Sequence, residues 1–308
     1  MINLRQLRYF VKVAETGNIT RAARVLNVSQ PSLGTQIRLL EEDLGVVLLE
    51  RHSRGIAITA AGEVLAQRAR GVLHQIDALA GEVRAAGGSK RRKVALGVPP
   101  SVIRLIGHDL ILYAQEHLPG IALSLVEERS VTLIKAMERD EIDYAFAFET
   151  EERSDLWRLP ILEDELVFVT APNTAPPGGV IGLKSALQSN LAIADGRGLI
   201  RRLVEREAEK LGILLTPAFE IHSISALQTI LQEGRAAGIM PYGLAAEYVR
   251  RGVLACSRLD RPVKRRLYIE GPAWRPAPLE QREFDGLVAW ATDTLLERLG
   301  PYARRMTA

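Results

Sequence analysis

The stretch that decides the fold is "NITRAARVLNVSQPSLGTQIRLLEEDLG", residues 18–45. Two short helical patterns stand about one turn apart in it. The first, near residues 20–26, carries Ala22 and Ala23, whose short side chains let a neighbouring helix approach closely. Asn27-Val28-Ser29 then makes a tight turn. Ser29 or Gln30 can cap the second helix, and Pro31 suits a first turn that donates no N–H. In that helix Leu33, Ile37, Leu40 and Leu44 recur at i, i+4, i+7 and i+11, which predicts a buried stripe. The outward positions near its start are Ser32, Gly34, Thr35 and Arg38. A leading face this short and this rich in hydrogen-bonding groups suits the floor of a DNA major groove. An ordinary surface helix would favour long charged residues there.

The flanks extend the pattern. Upstream, Leu4, Leu7, Phe10, Val11 and Ala14 predict a helix over about 4–16 with Gly17 as its stop. Downstream, "VVLLERHSRGIAITAAG" (46–62) holds two apolar runs, 46–49 and 56–58, around "RHSRG", which reads as a hairpin. A basic hairpin tip beside a helix–turn–helix is a wing. It brings Arg51, His52 and Arg54 toward phosphates or a minor groove. Thr59 caps a long helix to about residue 86, where Leu65, Ala69, Val72, Ile76, Leu79, Val83 and Ala86 alternate spacings of 4 and 3. So regular a heptad stripe, leaving the winged domain before "GGS" at 87–89, predicts packing against a second copy. The alternative is a helix packed on its own domain.

From Lys93 the pattern becomes alternating strands and helices. "KVALGVP" (93–99), "IALSLVE" (121–127), "YAFAFE" (144–149), "ELVFVTA" (165–171), "LAIAD" (191–195) and "GIMP" (238–241) read as strands. Helical patterns lie near 101–117, 130–140, 199–212 and 224–233, with a last helix over about 279–298, and "PNTAPPGG" (172–179) reads as a loop. Such alternation predicts mostly parallel sheets in α/β units.

The whole-chain balance agrees with this division. Residues 1–88 hold 11 Lys+Arg against 8 Asp+Glu, and the remainder holds 29 of each. The basic excess therefore lies in the N-terminal module, as suits a nucleic-acid partner. The single cysteine, Cys256, rules out an intramolecular disulfide and a thiolate metal cluster, and reads as a small buried hydrophobe. The five histidines show no metal-ligand spacing, and no metal or cofactor is expected. Charges in "MINLRQLRYF" leave no signal-peptide core, and no run approaches the ~20 apolar residues of a membrane span. The expectation is a cytoplasmic protein.

The segments "LRQLRYFVKVAETGNITRAARVLNVSQPSL" (4–33), "LEEDLGVVLLER" (40–51) and "ITAAGEVL" (58–65) resemble the LysR-type transcriptional regulators of bacteria in order and spacing. The N-terminal and early effector segments look closest to nitrogen-assimilation-control-like members. The resemblance covers essentially the whole chain. It implies an all-α winged helix-turn-helix domain at 1–58, and a linker and dimerisation helix with hinge at 59–89. A C-terminal α/β effector domain would follow at 90–308, with two lobes like a periplasmic binding protein. Lobe I would take about 90–163 and 268–308, lobe II about 164–267, with crossover strands near 160–168 and 264–270. Three departures stand out. Gly34 replaces the family's usual serine on the recognition helix, which removes a hydroxyl and costs up to ~1 kcal/mol relative to Ala. Leu49 stands where Phe is common, a packing change. "MERDEID" (137–143) lacks the glycine usually found before the Ile-Asp pair, which implies a different turn.

The resemblance further implies a small-molecule pocket between the lobes. "GVPPSV" places Pro100 and Ser101 at a helix start directly after a strand, where free N–H groups favour an anion. "EERSV" places Arg129 and Ser130 at an equivalent turn, and "ADGRGLI" offers Arg197 between two glycines. Phe148 adds an apolar wall. Helix starts meeting at strand carboxyl ends follow the rule for ligand sites in α/β sheets. The alternative makes Ser101 and Ser130 plain helix N-caps and Arg197 a solvated loop residue.

The expected function is a sequence-specific DNA-binding regulator that responds to a small anionic effector. Ser32, Thr35 and Arg38 would read bases. Gln30, Pro31 and Gly34 would lie at the same interface, while Arg51 and Arg54 meet phosphates or a minor groove. Its expected partners are double-stranded DNA carrying an interrupted inverted repeat, the effector, further copies forming a dimer of dimers, and RNA polymerase. The rival is a solute-binding protein or enzyme with a fused helix–turn–helix. No G-x-S-x-G, H-E-x-x-H or Walker motif supports an enzyme, and "GRGLIR" (196–201) lacks dinucleotide-fingerprint spacing.

Overall fold

A computed structural model describes residues 2–52, 55–86, 91–150, 152–194, 198–274 and 277–306. By internal contacts the chain divides into two units, residues 1–92 with 272–277 and residues 93–271 with 278–308.

The first unit opens with α1 (Leu4–Thr16), α2 (Ile19–Val25) and α3 (Gln30–Leu44). Each start is fixed by a side chain. Asn3 and Gln6 form a reciprocal capping box, Asn18 accepts from Arg21 N at 3.0 Å, and Ser29 accepts from Ser32 N at 3.3 Å. Gly17 and Gly45 end α1 and α3 at φ 59° and 70°, the left-handed region that favours glycine. In the tight turn before α3, Asn27 takes φ 54°. Phe10, Val13, Ala22, Ala23, Leu33, Ile37 and Leu40 make one core, in which the two alanines admit the close approach expected of them.

The hairpin pairs β1 (Leu49–His52) with antiparallel β2 (Gly55–Ile58). The first strand begins later than the apolar run 46–49 suggests. The Glu41 carboxylate accepts from Leu48 N at 2.8 Å and Leu49 N at 3.1 Å, wrapping the chain around the end of α3. Val46 and Val47 are left exposed.

Helix α4 (Ala60–Ala86) starts where Thr59 Oγ1 accepts from Gly62 N at 3.0 Å. Its stripe divides. Ala69, with half-buried Leu65 and Leu73, packs on Leu7 and Val11 of α1, so the start of the stripe serves its own domain. Val72 and Leu79 are 42% and 58% exposed. The side chains of Val83 and Ala86 lie outside the described residues.

In the second unit, β3 (Arg92–Val98), α5 (Pro100–His117), β4 (Ile121–Glu127), α6 (Ser130–Glu138) and β5 (Tyr144–Phe148) follow in turn. The turn after α6 does differ from the glycine form: Asp140 takes the left-handed conformation at φ 56°. Strand β6 (Leu156–Thr170) comes next. Residues 172–174 and 177–179, read as plain loop, form two 3-10 turns. Beyond them lie β7 (Val180–Ile181), α7 (Leu183–Leu187), β8 (Ala192–Ala194), α8 (Leu199–Lys210), β9 (Phe219–Ile221), α9 (Ile224–Gln232), β10 (Gly238–Pro241) and α10 (Tyr242–Arg250). The chain closes with β11 (Ala255–Leu259), β12 (Lys264–Pro272), α11 (Gln281–Leu299) and β13 (Ala303–Arg305).

One continuous strand organises this unit. Residues 162–164 of β6 pair with β13, and its next turn of chain pairs with β10 on one edge and β11 on the other. The sheet order is β4-β3-β5-β12-β6-β11-β7. β3–β5, β8–β9 and β7–β11 are parallel pairs, and Leu191 and Ala237 form a further parallel bridge. β5–β12, β6–β10, β6–β11 and β6–β13 are antiparallel, so among the described pairings this unit is mixed where mostly parallel sheets were expected. The cause is the crossover strands, which return through the sheet instead of starting new βα units. One core gathers Val94, Ile106, Phe146, Leu267, Leu287 and Leu299 around β3, β5, β12, α5 and α11. Another is built from Leu166, Leu187, Ile193, Leu203 and Ile239.

Candidate functional site

The leading face of α3 has the character its sequence predicts. Leu33, Ile37 and Leu40 are fully buried, whereas Gln30, Pro31, Ser32, Thr35 and Arg38 are exposed and Gly34 is half-exposed. Arg38 leans on Glu42 one turn along, an exposed pair at 3.6 Å that holds it only weakly. Thr20 Oγ1 lies 3.1 Å from Gln30 Oε1 and ties α2 to the tip of α3. A Cβ placed on Gly34 would meet nothing within 4 Å, so packing does not require the glycine. Its effect is to leave the helix surface bare at that point. The wing is positioned by Glu41 and by a hydrogen bond from Ile56 N to Gly17 O at 3.3 Å. Glu41 is a positioning residue that sequence reasoning passed over; its signal was an acid one turn before the closing glycine, followed by unpaired N–H groups. Arg54, and the side chain of Arg51, lie outside the described residues.

In the second unit the predicted groups from lobe I converge. Glu128 N donates to Val98 O at 3.4 Å, setting the ends of β4 and β3 side by side. Phe148 N donates to Ser130 Oγ at 2.9 Å, joining the end of β5 to the start of α6. Neither serine is a helix cap: the N-caps of α5 and α6 are Pro99 and Arg129, and no side-chain cap bond forms at either. Pro100 takes the first helical position, Arg129 is exposed at the turn, and Phe148 is buried. Arg197 lies outside the described residues.

The residue that sequence reasoning missed is Arg265 on β12. Only 4% exposed, it donates through Nε and Nη2 to both carboxylate oxygens of Asp164 on β6, at 2.7 Å each. Nη2 also donates to Ser101 Oγ at 3.0 Å, and Cζ stands 3.5 Å above the Phe148 ring. Burial pushes the Asp164 carboxyl up against the pull of Arg265. Asp164 is the last β6 residue paired to β13 before the strand meets β10, so this ion pair bridges the two crossover strands where one lobe gives way to the other. Ser101 is also held from its carbonyl side. A Cβ on Gly243, at the start of α10, would stand 2.2 Å from Ser101 O, so only glycine permits that approach.

A second buried acid on β12 is less well satisfied. Glu270, 1% exposed, accepts from Thr150 Oγ1, while its Oε2 has no partner among the described residues. Burial pushes its carboxyl above the ordinary glutamate value, against Thr150 and Arg158. A raised folded-state pKa gives stability that is present in acid and is lost as pH rises through that pKa. Glu270→Gln should therefore stabilise the protein near neutrality by about 1–2 kcal/mol and flatten the dependence of the urea midpoint on pH. Equal pH profiles for the two proteins would rule this out.

The chain matches two family models. Residues 4–63 match the bacterial regulatory helix-turn-helix protein of the lysR family, and residues 87–295 match the LysR substrate binding domain. The chain is a LysR-family transcriptional regulator. Among its relatives is the nitrogen assimilation regulatory protein nac of Klebsiella aerogenes, 28% identical over 245 residues, 79% of this chain and 80% of that protein. The crystal structure of CbnR, a LysR family transcriptional regulator, is 26% identical with TM-score 0.55 and covers 93% of this LysR regulator and 100% of that chain. A full-length OxyR variant from Pseudomonas aeruginosa shares the fold at TM-score 0.69 and 19% identity, covering 100% and 99% of the two chains. The family resemblance read from residues 4–65 is thus borne out, as is the two-lobed effector fold. No helix of this LysR regulator, among the described residues, is long and apolar enough to cross a membrane.

Proposed function

We propose that this regulator reads a promoter half-site with the start of α3 and senses a small anion at the carboxyl ends of β3, β4 and β5. The observation that carries the first part is the division of α3 into a buried stripe and a short, exposed, hydrogen-bonding face. Ser32, Thr35 and Arg38 make the base contacts. Gln30, Pro31 and Gly34 lie against the same groove, and Arg51 and Arg54 meet phosphates or a minor groove. The free length of α4 joins two copies, and two such dimers form a tetramer on an interrupted inverted repeat. The protein works in the cytoplasm. The effector reading rests on Ser101 and Ser130, whose hydroxyls stand at neighbouring helix starts, with Phe148 beside them.

Arg38→Ala tests base readout. A bidentate base contact is worth about 1–3 kcal/mol of discrimination, so specific binding should fall about tenfold or more while binding to random DNA changes little. Gel shifts with operator and scrambled duplexes at fixed salt measure both. If both affinities fall in the same ratio, Arg38 is a phosphate contact.

A further inference from the structure

A serine hydroxyl can accept two hydrogen bonds and donate one. At Ser101, buried to 4% exposure, one acceptor position is taken by Arg265 Nη2 at 3.0 Å. The hydroxyl proton must point away from that guanidinium. Arg265 cannot withdraw, because Asp164 grips Nε and Nη2 and the Phe148 ring covers one face. Ser130 is set in the same sense, since its oxygen accepts the Phe148 N–H at 2.9 Å. Two hydroxyls at adjacent helix starts therefore each accept one bond from the protein side, which turns their protons away from those donors.

We propose that Arg265 is a positioning residue for effector selectivity: by donating to Ser101 it turns the hydroxyl proton away from itself and toward the ligand, so that the site takes a carboxylate in preference to the matching amide. Asp164 neutralises the guanidinium, so the preference comes from hydrogen-bond polarity and not from net charge. With Arg265 already paired to Asp164, these two hydroxyls suit a monoanionic carboxylate better than a phosphate dianion, whose second charge this guanidinium would not offset. This inference rests on the reading of Ser101 and Ser130 as the effector site.

The test compares butyrate with butyramide as probes, titrated into the full chain by calorimetry. The wild-type protein should prefer the acid by about tenfold or more, the worth of a hydrogen bond to a charged group. Ser101→Ala should abolish that preference. The paired variant Asp164→Leu with Arg265→Met removes both charges together, which buried ion pairs commonly tolerate, and should bind acid and amide about equally. Arg265→Lys, which keeps a donor toward Ser101, should restore part of the preference. If the apolar pair does not fold, Asp164→Val with Arg265→Leu, which likewise has no donor toward Ser101, is read in the same way. A folded paired variant that keeps the wild-type preference overturns the role of Arg265, while sensitivity to Ser101→Ala leaves the site reading standing. A wild-type protein that binds neither probe, or shows no preference, or is indifferent to Ser101→Ala, overturns the site reading and the role of Arg265 with it.

Discussion

Arg265→Ala lowers the stability of the effector unit by about 3–5 kcal/mol, the usual cost of removing one partner from a buried ion pair. The substitution strands the Asp164 carboxylate, whose side chain is 3% exposed, without a counter-charge. It also takes the donor from Ser101 and the cation from the face of Phe148. Against the roughly 5–15 kcal/mol available to a domain, that loss is large. Removing both charges at once leaves no stranded ion, so Asp164→Leu with Arg265→Met should lie near wild type. Urea unfolding followed by tryptophan fluorescence reads the difference, because Trp157 and Trp290 both pack on the core of this unit. A single variant within about 1 kcal/mol of wild type would show that Asp164 finds water or another donor.

Leu79→Glu dissociates the protein. Val72 and Leu79 are left exposed on α4, while Ala69 is already buried against α1 of the same domain. The seam proposed for a second copy therefore begins about two turns beyond Leu65, and Leu79 stands well within it. A carboxylate forced into an apolar seam beside its symmetry mate costs several kcal/mol. Light scattering should show smaller particles, and operator affinity should fall about a hundredfold or more once two half-sites are no longer engaged by linked domains. Leu65→Glu would instead act by unfolding the winged domain. An unchanged mass for folded Leu79→Glu places the seam elsewhere.

Legibility in the sequence followed how locally each feature is determined. The three helices of the DNA-binding unit could be read almost to the residue, because caps at Ser29, Gly17 and Gly45 are local chemistry. So could the exposed face of α3. The lobes were harder. α10 and β11 went unseen, since "YGLAAEYVR" and "ACSRL" (242–250, 255–259) are short and carry no clear period. The key pair was visible in principle. "EDE" at 163–165 and "KRR" at 264–266 fall in the two crossover strands, and a strand turns alternate side chains to opposite faces. The middle acid of one triplet and the middle base of the other then share a face opposite to their neighbours. Outward, Glu163 gathers Lys264, Arg266 and Arg304; inward, Asp164 meets Arg265. What a sequence cannot supply is the strand pairing that sets the triplets face to face.

The long strand β6 also dictates an order of assembly. The core around Leu166, Leu203 and Val263 closes within one contiguous stretch of about a hundred residues. The core holding Val94 and Leu299 needs both ends of the unit, with that whole stretch inserted between them. Closing so long an interval is slow, so the inserted lobe acquires its structure first and presents β6 as a finished edge on which the split lobe is completed. Pulse-labelled hydrogen exchange during refolding should protect amides of β8 and α8 before those of β3 and α5. During synthesis the same order holds. The half that follows the DNA-binding unit in the chain waits for residues near the carboxyl terminus, and newly made protein can answer an effector only after those last strands have arrived.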